Sequence, residues 1–190
     1  MNAISVLRGQ ITAGHAVFTE AVRGIAPDEW TARPYAGANL IGFTAWHVPA
    51  VQDWALHTWL RGLPELRTGT ALAALPGINP PFAPFGMSLE DADGIAAATS
   101  PAAVVAYADA VLAAAGALLD GLTDADLDAV ADTRTHGTRL PQHQSAGYLE
   151  EVDDMYDMPA WRVLAGPCFG HVRDHAGELR TALAILRARQ

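Results

Sequence analysis

The sequence predicts an all-α fold, namely a four-helix bundle with two long connections. Apolar residues recur at three- and four-residue spacing in four stretches, which is typical of helices, and no stretch alternates convincingly as a half-buried strand does. Hydrophobic residues make up 51% and charged residues 17% of the chain, as in folded globular proteins. A chain of 190 residues fits one domain, so we expect a single domain over residues 1–190.

The first two helices are predicted from apolar periodicity. The first follows apolar positions from Ile4 to Ile25 and ends before Pro27. The second begins near Asn39, a residue type that favours the N-cap position, and runs towards Gly62. These two helices therefore occupy the N-terminal third of the chain.

The last two helices carry clearer local signals. The third begins at Ser100 and Pro101, an N-cap residue followed by a first-turn proline, and stops at Gly121. The fourth begins around Pro159 and continues to the C-terminal end of the chain. Because proline lacks an N–H group, we expect Gly166–Pro167 to kink this helix or to separate its first two turns.

Two long connections separate these helices. The connection between the second and third helices holds five of the twelve prolines, and Ser88–Asp91 predicts a short helix within it. The other connection covers roughly 132–157, between the third and fourth helices. Connections of this length predict a bundle that is not simply up-down-up-down.

Charge and lysine content exclude several classes of function. The formal net charge is −9 and the pI is about 5.0, which predicts no nucleic-acid partner. All twelve basic residues are arginine. Schiff-base catalysis and a Walker-type phosphate loop both require lysine and are therefore excluded.

Cysteine content and hydropathy indicate where the protein works. Cys168 is the single cysteine, so an internal disulfide and a cysteine-rich zinc finger are both excluded. No secretory signal is apparent at the start of the sequence, and no run approaches eighteen uninterrupted apolar residues. We expect a cytoplasmic protein without a membrane partner.

Three histidines are the candidate metal ligands. His171 and His175 stand four residues apart in an apolar stripe, so they share one face of a helix, with about 5–6 Å between their Cβ atoms. His47 lies in a similar stripe of the second helix. Seven histidines in 190 residues give about 0.2 such four-residue pairs by chance, so the spacing alone is weak evidence.

Two interpretations of these histidines remain open. A single interior histidine is most often a hydrogen-bonded core residue. Three interior imidazoles each need a partner, however, and one shared metal ion supplies all three. The sequence therefore indicates a three-histidine site with an open position, or three separately satisfied core residues.

The surrounding residues narrow the type of metal site. Val172 follows His171, so the His-Glu-x-x-His helix of zincin proteases is excluded. The chain has no Glu-x-x-His pair, which leaves a ferritin-like di-iron centre unsupported. Three neutral imidazoles suit Zn²⁺, Ni²⁺, Fe²⁺ or Mn²⁺, and the sequence does not choose among them.

Three further residues could join such a site. Glu178 is the candidate catalytic residue, either as an inward-facing base or as a carboxylate that orients His175; the simpler alternative is a solvated or helix-packing carboxylate. Cys168 shares the stripe of His171 and is either a fourth ligand or a small buried hydrophobic residue. His15 lies on the apolar stripe of the first helix, where we expect it to fill the core.

The remaining titratable groups are assigned to simpler roles. Asp53 and His57 are predicted to form a helical surface contact, because they stand four residues apart. His136 and His143 lie in the second long connection, where they either cap the pocket or face water. The acidic run at 150–154 is predicted to be a solvated face.

Two segments resemble the signatures of the DinB-like superfamily. The run from Pro34 to Val48, followed by Asp53-Trp54, resembles the second-helix signature. The run from Gly170 to Leu179 resembles the last-helix signature, a His-x-x-x-His followed by Gly-Glu or Gly-Gln. Trp30 and Arg33-Pro34 are also in the style of this family. The resemblance covers essentially the whole chain in helix order, but only the two histidine segments are specific.

The resemblance implies a four-helix bundle with up-down-down-up topology, often homodimeric. It also implies one divalent metal ion held by three histidines, which correspond to His47, His171 and His175. The related N-terminal domains of mycothiol-dependent maleylpyruvate isomerases have Glu-x-x-x-His in the last helix. His171 departs from that pattern, so the chain is closer to the DinB branch itself. Residues 134–157 are not a hallmark of the family.

Three functions are consistent with the sequence. Understood members of the family include thiol S-transferases that use bacillithiol or mycothiol, so a metal-dependent transferase with a low-molecular-weight thiol and a small-molecule substrate is the first hypothesis. The second is a metal-dependent hydrolase, in which Glu178 or a loop histidine moves protons for a metal-activated water. The third is a non-enzymatic bundle that holds a metal ion or an apolar ligand.

Overall fold

The computed structural model describes residues 2–189 as helices joined by long, partly helical connections. Within that range, extended pairing is limited to one isolated antiparallel bridge between Val130 and Pro159. The all-α prediction is therefore confirmed.

The first half of the chain contains two long helices and three short ones. The helix α3 continues without interruption into a π-helical stretch, Trp54–Trp59. The helices are α1 (Ala3–Arg23), α2 (Pro27–Trp30), α3 (Ile41–Asp53), α4 (Leu66–Gly69) and α5 (Leu89–Ala98).

The second half repeats this alternation of long and short helices. A π-helical turn, Gly166–Gly170, joins the last two helices. The helices are α6 (Pro101–Asp120), α7 (Thr133–Gly137), α8 (Ala146–Val152), α9 (Ala160–Ala165) and α10 (His171–Arg187).

The predicted helix ends agree with the structure where a local signal sets them. The Ser100 hydroxyl caps α6 by accepting a hydrogen bond from the Ala103 N–H, and Gly121 follows the last residue of the helix. The helix α3 differs, because its N-cap is Leu40 and not Asn39. The expected break at Gly166–Pro167 takes the form of the π-helical turn.

Side-chain contacts set the direction of α6 and α10 relative to α1. Arg8, near the start of α1, donates to Asp120 at the end of α6 at 2.6 Å, so these helices run antiparallel. Arg187, at the end of α10, donates to the Gly24 carbonyl just beyond the end of α1 at 2.9 Å. The same end of α1 also faces α10 through Glu20 and Arg180, so α1 and α10 run parallel.

The direction of α3 completes the topology. His47 faces His171 at the start of α10, while Gln52, further along α3, faces Cys168, which precedes α10. These two helices are therefore antiparallel, and α3 runs in the direction of α6. In chain order the four long helices run up, down, down and up, as expected.

The helix α3 is the central element of the bundle. Every residue from Ile41 to Asp53 is buried except His47, because α6, α10 and the short helix α5 pack around it. A Cβ atom on Gly42 would lie 2.6 Å from the Trp30 indole, so glycine permits the close packing of α2 on α3. His47, a predicted metal ligand, is thus the one residue of α3 that is partly exposed.

The helix α6 is long and apolar enough, by length and composition alone, to cross a membrane. An 18-residue window has a mean hydropathy of 1.9, and 39% of that window is buried. In this fold α6 packs against α1 and α3 as one of the four bundle helices. Core helices of bundles meet the same criterion, so the finding does not distinguish the two environments.

Candidate metal centre

The three predicted ligands lie together. His47 projects from α3, while His171 and His175 lie on the first turns of α10. One ligand nitrogen from each ring lies within 4.8 Å of the others. The ring centroids are 4.9 Å apart for His47 and His171, 5.1 Å for His47 and His175, and 4.3 Å for His171 and His175.

The π-helical turn before His171 is held in place from α3. A π turn leaves main-chain groups outside the regular α-helical ladder, and such groups need other partners. Gln52 supplies one of these by donating from Nε2 to the Cys168 carbonyl at 3.0 Å, and both residues are buried. This hydrogen bond joins the two ligand-bearing helices one to two turns away from the histidines.

Main-chain contact orients the His47 ring. Its Nδ1 lies 2.9 Å from the Pro84 carbonyl oxygen. Since a carbonyl oxygen only accepts, Nδ1 carries the proton and the Nε2 lone pair is free. That Nε2 faces the other two histidines. Hydrogen bonding of one ring nitrogen to a carbonyl is the usual way in which a metal-binding histidine is oriented.

Glu178 orients His175 in the same way. Its Oε2 accepts a 2.6 Å hydrogen bond from His175 Nδ1, which directs Nε2 towards the centre. This hydrogen bond and the positive charge that His175 can carry hold the pKa of Glu178 below its usual range, so the carboxylate is ionised at neutral pH. The contact gives Glu178 an orienting role, and the predicted catalytic role stays a prediction.

Burial keeps two of the imidazoles neutral. Loss of solvation, followed by repulsion from His175, lowers the pKa of His47 to about 3. Loss of solvation, followed by repulsion from His47 and His175, lowers the pKa of His171 to about 2. Neutral imidazoles present lone pairs, which is the form that a metal ion binds.

The spacing of the nitrogens fits a shared ion. His47 Nε2 and His171 Nε2 are 3.0 Å apart. Two nitrogens bound at about 2.0–2.1 Å lie about 2.9 Å apart at a right angle and about 3.3 Å apart at a tetrahedral angle. Because an oxygen atom engages Nδ1 of His47 and of His175, Nε2 of each ring is turned towards the centre, and the donor set fits a divalent metal ion.

A buried ionic cluster beside the centre was not predicted. Asp53, expected at the surface, is fully buried, and its carboxylate accepts from the Leu66 and Arg67 N–H groups and from the Tyr107 hydroxyl. His57 Nδ1 lies 2.8 Å from the same carboxylate. The expected surface contact is therefore wrong, because the proline-rich connection folds back over this end of α3.

Arg67 and Glu65 form the centre of this cluster. Both side chains are fully buried, and Arg67 Nε donates to Glu65 Oε2 at 2.5 Å. Burial opposes ionisation of Glu65, but His143 and Arg67 outweigh it and hold the pKa of Glu65 below its usual range. Arg67 also donates to the carbonyls of Pro80 and Phe82, which precede the Pro84 carbonyl that orients His47.

Two clefts meet at the histidines. The first, which we call the loop cleft, has a volume of about 510 Å³ and lies between α3 and the segment 84–89. All three histidines line it, together with Phe43, Phe85, Leu89 and Glu151. Segment 134–157, which is not a family hallmark, thus contributes Glu151 to this cleft.

The second cleft lies on the other side of Phe85. We call it the Trp161 cleft; its volume is about 660 Å³, and His171 and His175 line it but His47 does not. The Phe85 ring, which lines both clefts, packs edge-on against the His47 ring at 5.9 Å between centroids. A metal ion held by the three histidines would therefore be approached from two directions.

Two other candidates lie away from the centre. Cys168 is fully buried, and loss of solvation raises the pKa of its thiol to about 12, so it is a small buried residue and not a thiolate ligand. His15 lies 2.9 Å from Asp109 and pairs α1 with α6. The His15 ring is largely buried, in keeping with the expected core-filling role, and one ring nitrogen reaches the exposed Asp109 carboxylate at the edge of the helix pair.

The histidines of the second connection do not line either cleft. His136 directs Nδ1 to the Trp59 carbonyl at 3.1 Å. His143 is fully buried, stacks on Tyr148 and lies 3.2 Å from Glu65. Neither the capping role nor the solvent-facing role expected for His143 fits, because it belongs to the buried ionic cluster.

Comparison with known families agrees with this geometry. The family model of the DinB superfamily matches residues 10–179, which include all three histidines. The chain belongs to the DinB superfamily. The DinB fold also appears in a solved structure, a conserved protein from Enterococcus faecalis, with a TM-score of 0.74, 13% identity and 99% of each chain covered. No curated protein matches the sequence of this DinB chain.

Proposed function

We propose that this DinB protein is a metal-dependent transferase that acts with a low-molecular-weight thiol of the mycothiol or bacillithiol type. One observation carries the proposal: three converging imidazoles, two of which burial keeps neutral, stand where two separate clefts meet. Two reactants can therefore approach one centre from different sides. That arrangement suits a reaction that joins a thiol to a second small molecule.

The protein's own residues have defined tasks in this reaction. His47, His171 and His175 would hold a divalent ion, whose positive charge lowers the pKa of a thiol cosubstrate and favours its thiolate. The Pro84 carbonyl and Glu178 keep His47 and His175 in position. Neither lysine nor an accessible cysteine supplies a nucleophile, so the attacking sulfur comes from the cosubstrate.

The overall reaction is a substitution at carbon. A new bond forms between the thiol sulfur and the electrophilic carbon, and the bond from that carbon to its leaving group breaks. The leaving group departs with the bonding electron pair, and the thiol proton passes to solvent. No oxidant or reductant is required.

Hydrolysis by metal-activated water is the alternative reaction. It needs a base that is free to accept a proton from water. Glu178 is the predicted base, but its Oε2 already accepts a hydrogen bond from His175 Nδ1 and its pKa lies below the usual range. In thiol transfer the thiol loses its proton before the chemical step, so the reaction does not require Glu178 as a base.

Location and assembly belong to the same proposal. The cytoplasm keeps small thiols reduced, which suits a thiol-dependent enzyme. A homodimer is part of the proposal; α6 turns outward a stripe of small residues, Ala102, Ala106 and Ala113, which the exposed carboxylate of Asp109 interrupts. Light scattering that gives the mass of a single chain at micromolar concentration would contradict the dimer.

A comparison of two substrates tests the reaction. Protein loaded in turn with zinc, nickel, iron or manganese is mixed with mycothiol or bacillithiol and chlorodinitrobenzene, and separately with a nitrophenyl ester without thiol. We expect thioether formation that disappears on metal removal and in His171→Ala but persists in His15→Ala. Equal rates with and without metal would overturn the proposal, and ester cleavage without thiol would favour the hydrolase.

A further inference from the structure

We propose that the Trp161 cleft is a binding site for an uncharged aromatic molecule. The binding itself stands on the lining of the cleft, whereas the role of that molecule as the electrophile rests on the proposed function. The thiol would then use the loop cleft, which is the cleft that reaches all three histidines. The two reactants are thus assigned to opposite sides of Phe85.

Carbon and sulfur dominate the walls of this cleft. Besides Phe85, the apolar lining residues are Val51, Met155, Met158, Trp161, Ala165 and Pro167. A volume of about 660 Å³ lies within the range of about 300–1,000 Å³ that is typical of small-molecule sites. Burying apolar ligand surface here is therefore favourable by the ordinary hydrophobic effect.

The types of side chain favour an aromatic ring over an alkyl chain. Two thioethers, from Met155 and Met158, line the same cleft as the Trp161 indole. Sulfur–aromatic contacts and offset ring stacking both add to the stabilisation from simple burial. Trp161 is 44% exposed, an unusual state for a large indole, so a ring that packs against it would cover apolar surface.

The charges at the rim favour a neutral ligand. Asp154, Arg162 and Asp174 also line the cleft, which gives two negative groups and one positive group. The whole chain carries a net charge of −9. In the metal-free protein a carboxylate or sulfonate on the ligand would be repelled by this negative balance, while an uncharged ring would not.

The position of the cleft connects it to the metal centre. His171, His175 and Phe85 line both clefts, and His47 lines the loop cleft alone. A molecule in the Trp161 cleft would therefore reach the histidine pair without displacing a ligand from the loop cleft. Segment 134–157 contributes Asp154 and Met155, so this wall is built by the part of the chain that is not a family hallmark.

Fluorescence titration with N-phenylnaphthylamine, an uncharged aromatic probe, tests the site. Trp161→Ala and Met158→Ala should each weaken binding by about fivefold or more, because each removes a wall of the cleft. The matched control is Leu89→Ala, which removes a similarly exposed apolar side chain (42%) from the loop cleft and should leave probe affinity within about twofold. Unchanged affinity in Trp161→Ala, or an equal loss in Leu89→Ala, would overturn the proposal.

The charge argument has its own test. Anilinonaphthalene sulfonate, an anionic probe of similar size, should bind to the metal-free protein more weakly than the neutral probe. Asp154→Asn should strengthen binding of the anionic probe and leave the neutral probe unchanged, since it removes one negative group at the rim. Stronger binding of the anionic probe to the metal-free unmodified protein would overturn the neutral-ligand assignment.

The transferase proposal and the proposal for the Trp161 cleft can be disproved independently of each other. Probe binding is measured without thiol, so a protein that binds the probe through Trp161 but transfers no sulfur disproves only the transferase. Conversely, thioether formation with the same kcat/KM in Trp161→Ala as in the unmodified protein disproves only the assignment of the cleft. Circular dichroism of each variant checks that the helical fold is retained.

Discussion

Arg67 Nη2 donates a 2.8 Å hydrogen bond to the main-chain carbonyl oxygen of Phe82. Its Nη1 donates to the Pro80 carbonyl at 3.1 Å. Two residues further along, the Pro84 carbonyl accepts the hydrogen bond that orients His47. A fully buried guanidinium therefore anchors the loop that sets the direction of one metal-binding ring.

Arg67→Met should destabilise the fold strongly. The substitution leaves the Glu65 carboxylate buried without its cation, and breaking a buried ion pair in this way costs about 3–5 kcal/mol. Urea denaturation measures the loss of free energy of unfolding. The double variant Arg67→Met/Glu65→Gln should recover part of it, because the remaining side chain is neutral. A single-variant loss below about 1 kcal/mol would contradict a buried ion pair.

Each ligand histidine should contribute to one metal site. Elemental analysis is expected to give about one divalent ion per chain, and His47→Ala or His175→Ala should weaken metal affinity severely. His15→Ala is the matched control, since that ring pairs with Asp109 away from the centre. Isothermal titration calorimetry measures the stoichiometry and the affinity of metal binding for the unmodified protein and for each variant. Unchanged stoichiometry and affinity in His47→Ala would exclude a shared ion.

Glu178→Gln separates orientation from catalysis. Losing a carboxylate partner of a metal-binding histidine typically costs about 10–100-fold in metal affinity or activity. If Glu178 only orients His175, the variant should lose metal affinity and regain its activity at saturating metal. A low kcat that persists at saturating metal would instead identify Glu178 as a catalytic residue. Metal titrations of the reaction rate distinguish the two outcomes.

Cys168 should be unreactive in the folded protein. Burial raises the pKa of its thiol to about 12, so the thiolate is scarce at pH 8. Dithionitrobenzoate should label it slowly in buffer and rapidly in denaturant, and Cys168→Ala should still bind metal. Rapid labelling of the folded protein would indicate that the segment around the π-helical turn opens.

The Glu29–Arg187 pair should make stability depend on pH. The hydrogen bonds from Arg187 outweigh burial and hold the pKa of Glu29 below its usual 4.5. A lowered pKa in the folded state means that this stabilisation is present above pH 4.5 and is lost as the pH falls through the folded-state pKa.

Thermal unfolding of Glu29→Gln measures this contribution. At pH 7 its Tm should be lower by about 2–4 °C, the shift expected for about 1 kcal/mol in a chain of this size. The difference from the unmodified protein should shrink as the solution is acidified and vanish below the folded-state pKa. A difference that is constant from pH 7 to pH 3 would show that packing, and not charge, is responsible.

Local signals account for the parts of the fold that the sequence predicts. Ser100 and Gly121 bound α6 because capping depends on residues within one turn of the helix end. The pairing of His171 with His175 follows from helix geometry alone. The apolar stripe of the second helix made His47 a candidate, and the two-segment resemblance connected it to His171, which lies 124 residues further along the chain.

The buried ionic cluster shows what local signals miss. Asp53 and His57 look like an ordinary surface pair on a helix, and their burial arises because the chain around Arg67 folds over them. Glu65 and Arg67 lie in a proline-rich connection without periodicity, so no pattern marked them as core residues. Charged residues that are buried by distant chain segments are invisible to an analysis of neighbours in sequence.

The π-helical turn at Gly166–Gly170 makes the metal centre sensitive to chain length. A π turn holds about one residue more than an α turn, and one residue corresponds to about 100° of rotation around a helix. Deleting a single residue there would turn His171 and His175 by that angle relative to α9 and point them away from His47. The direction in which the metal-binding face of α10 points is thus set by the number of residues in a segment that provides no ligand.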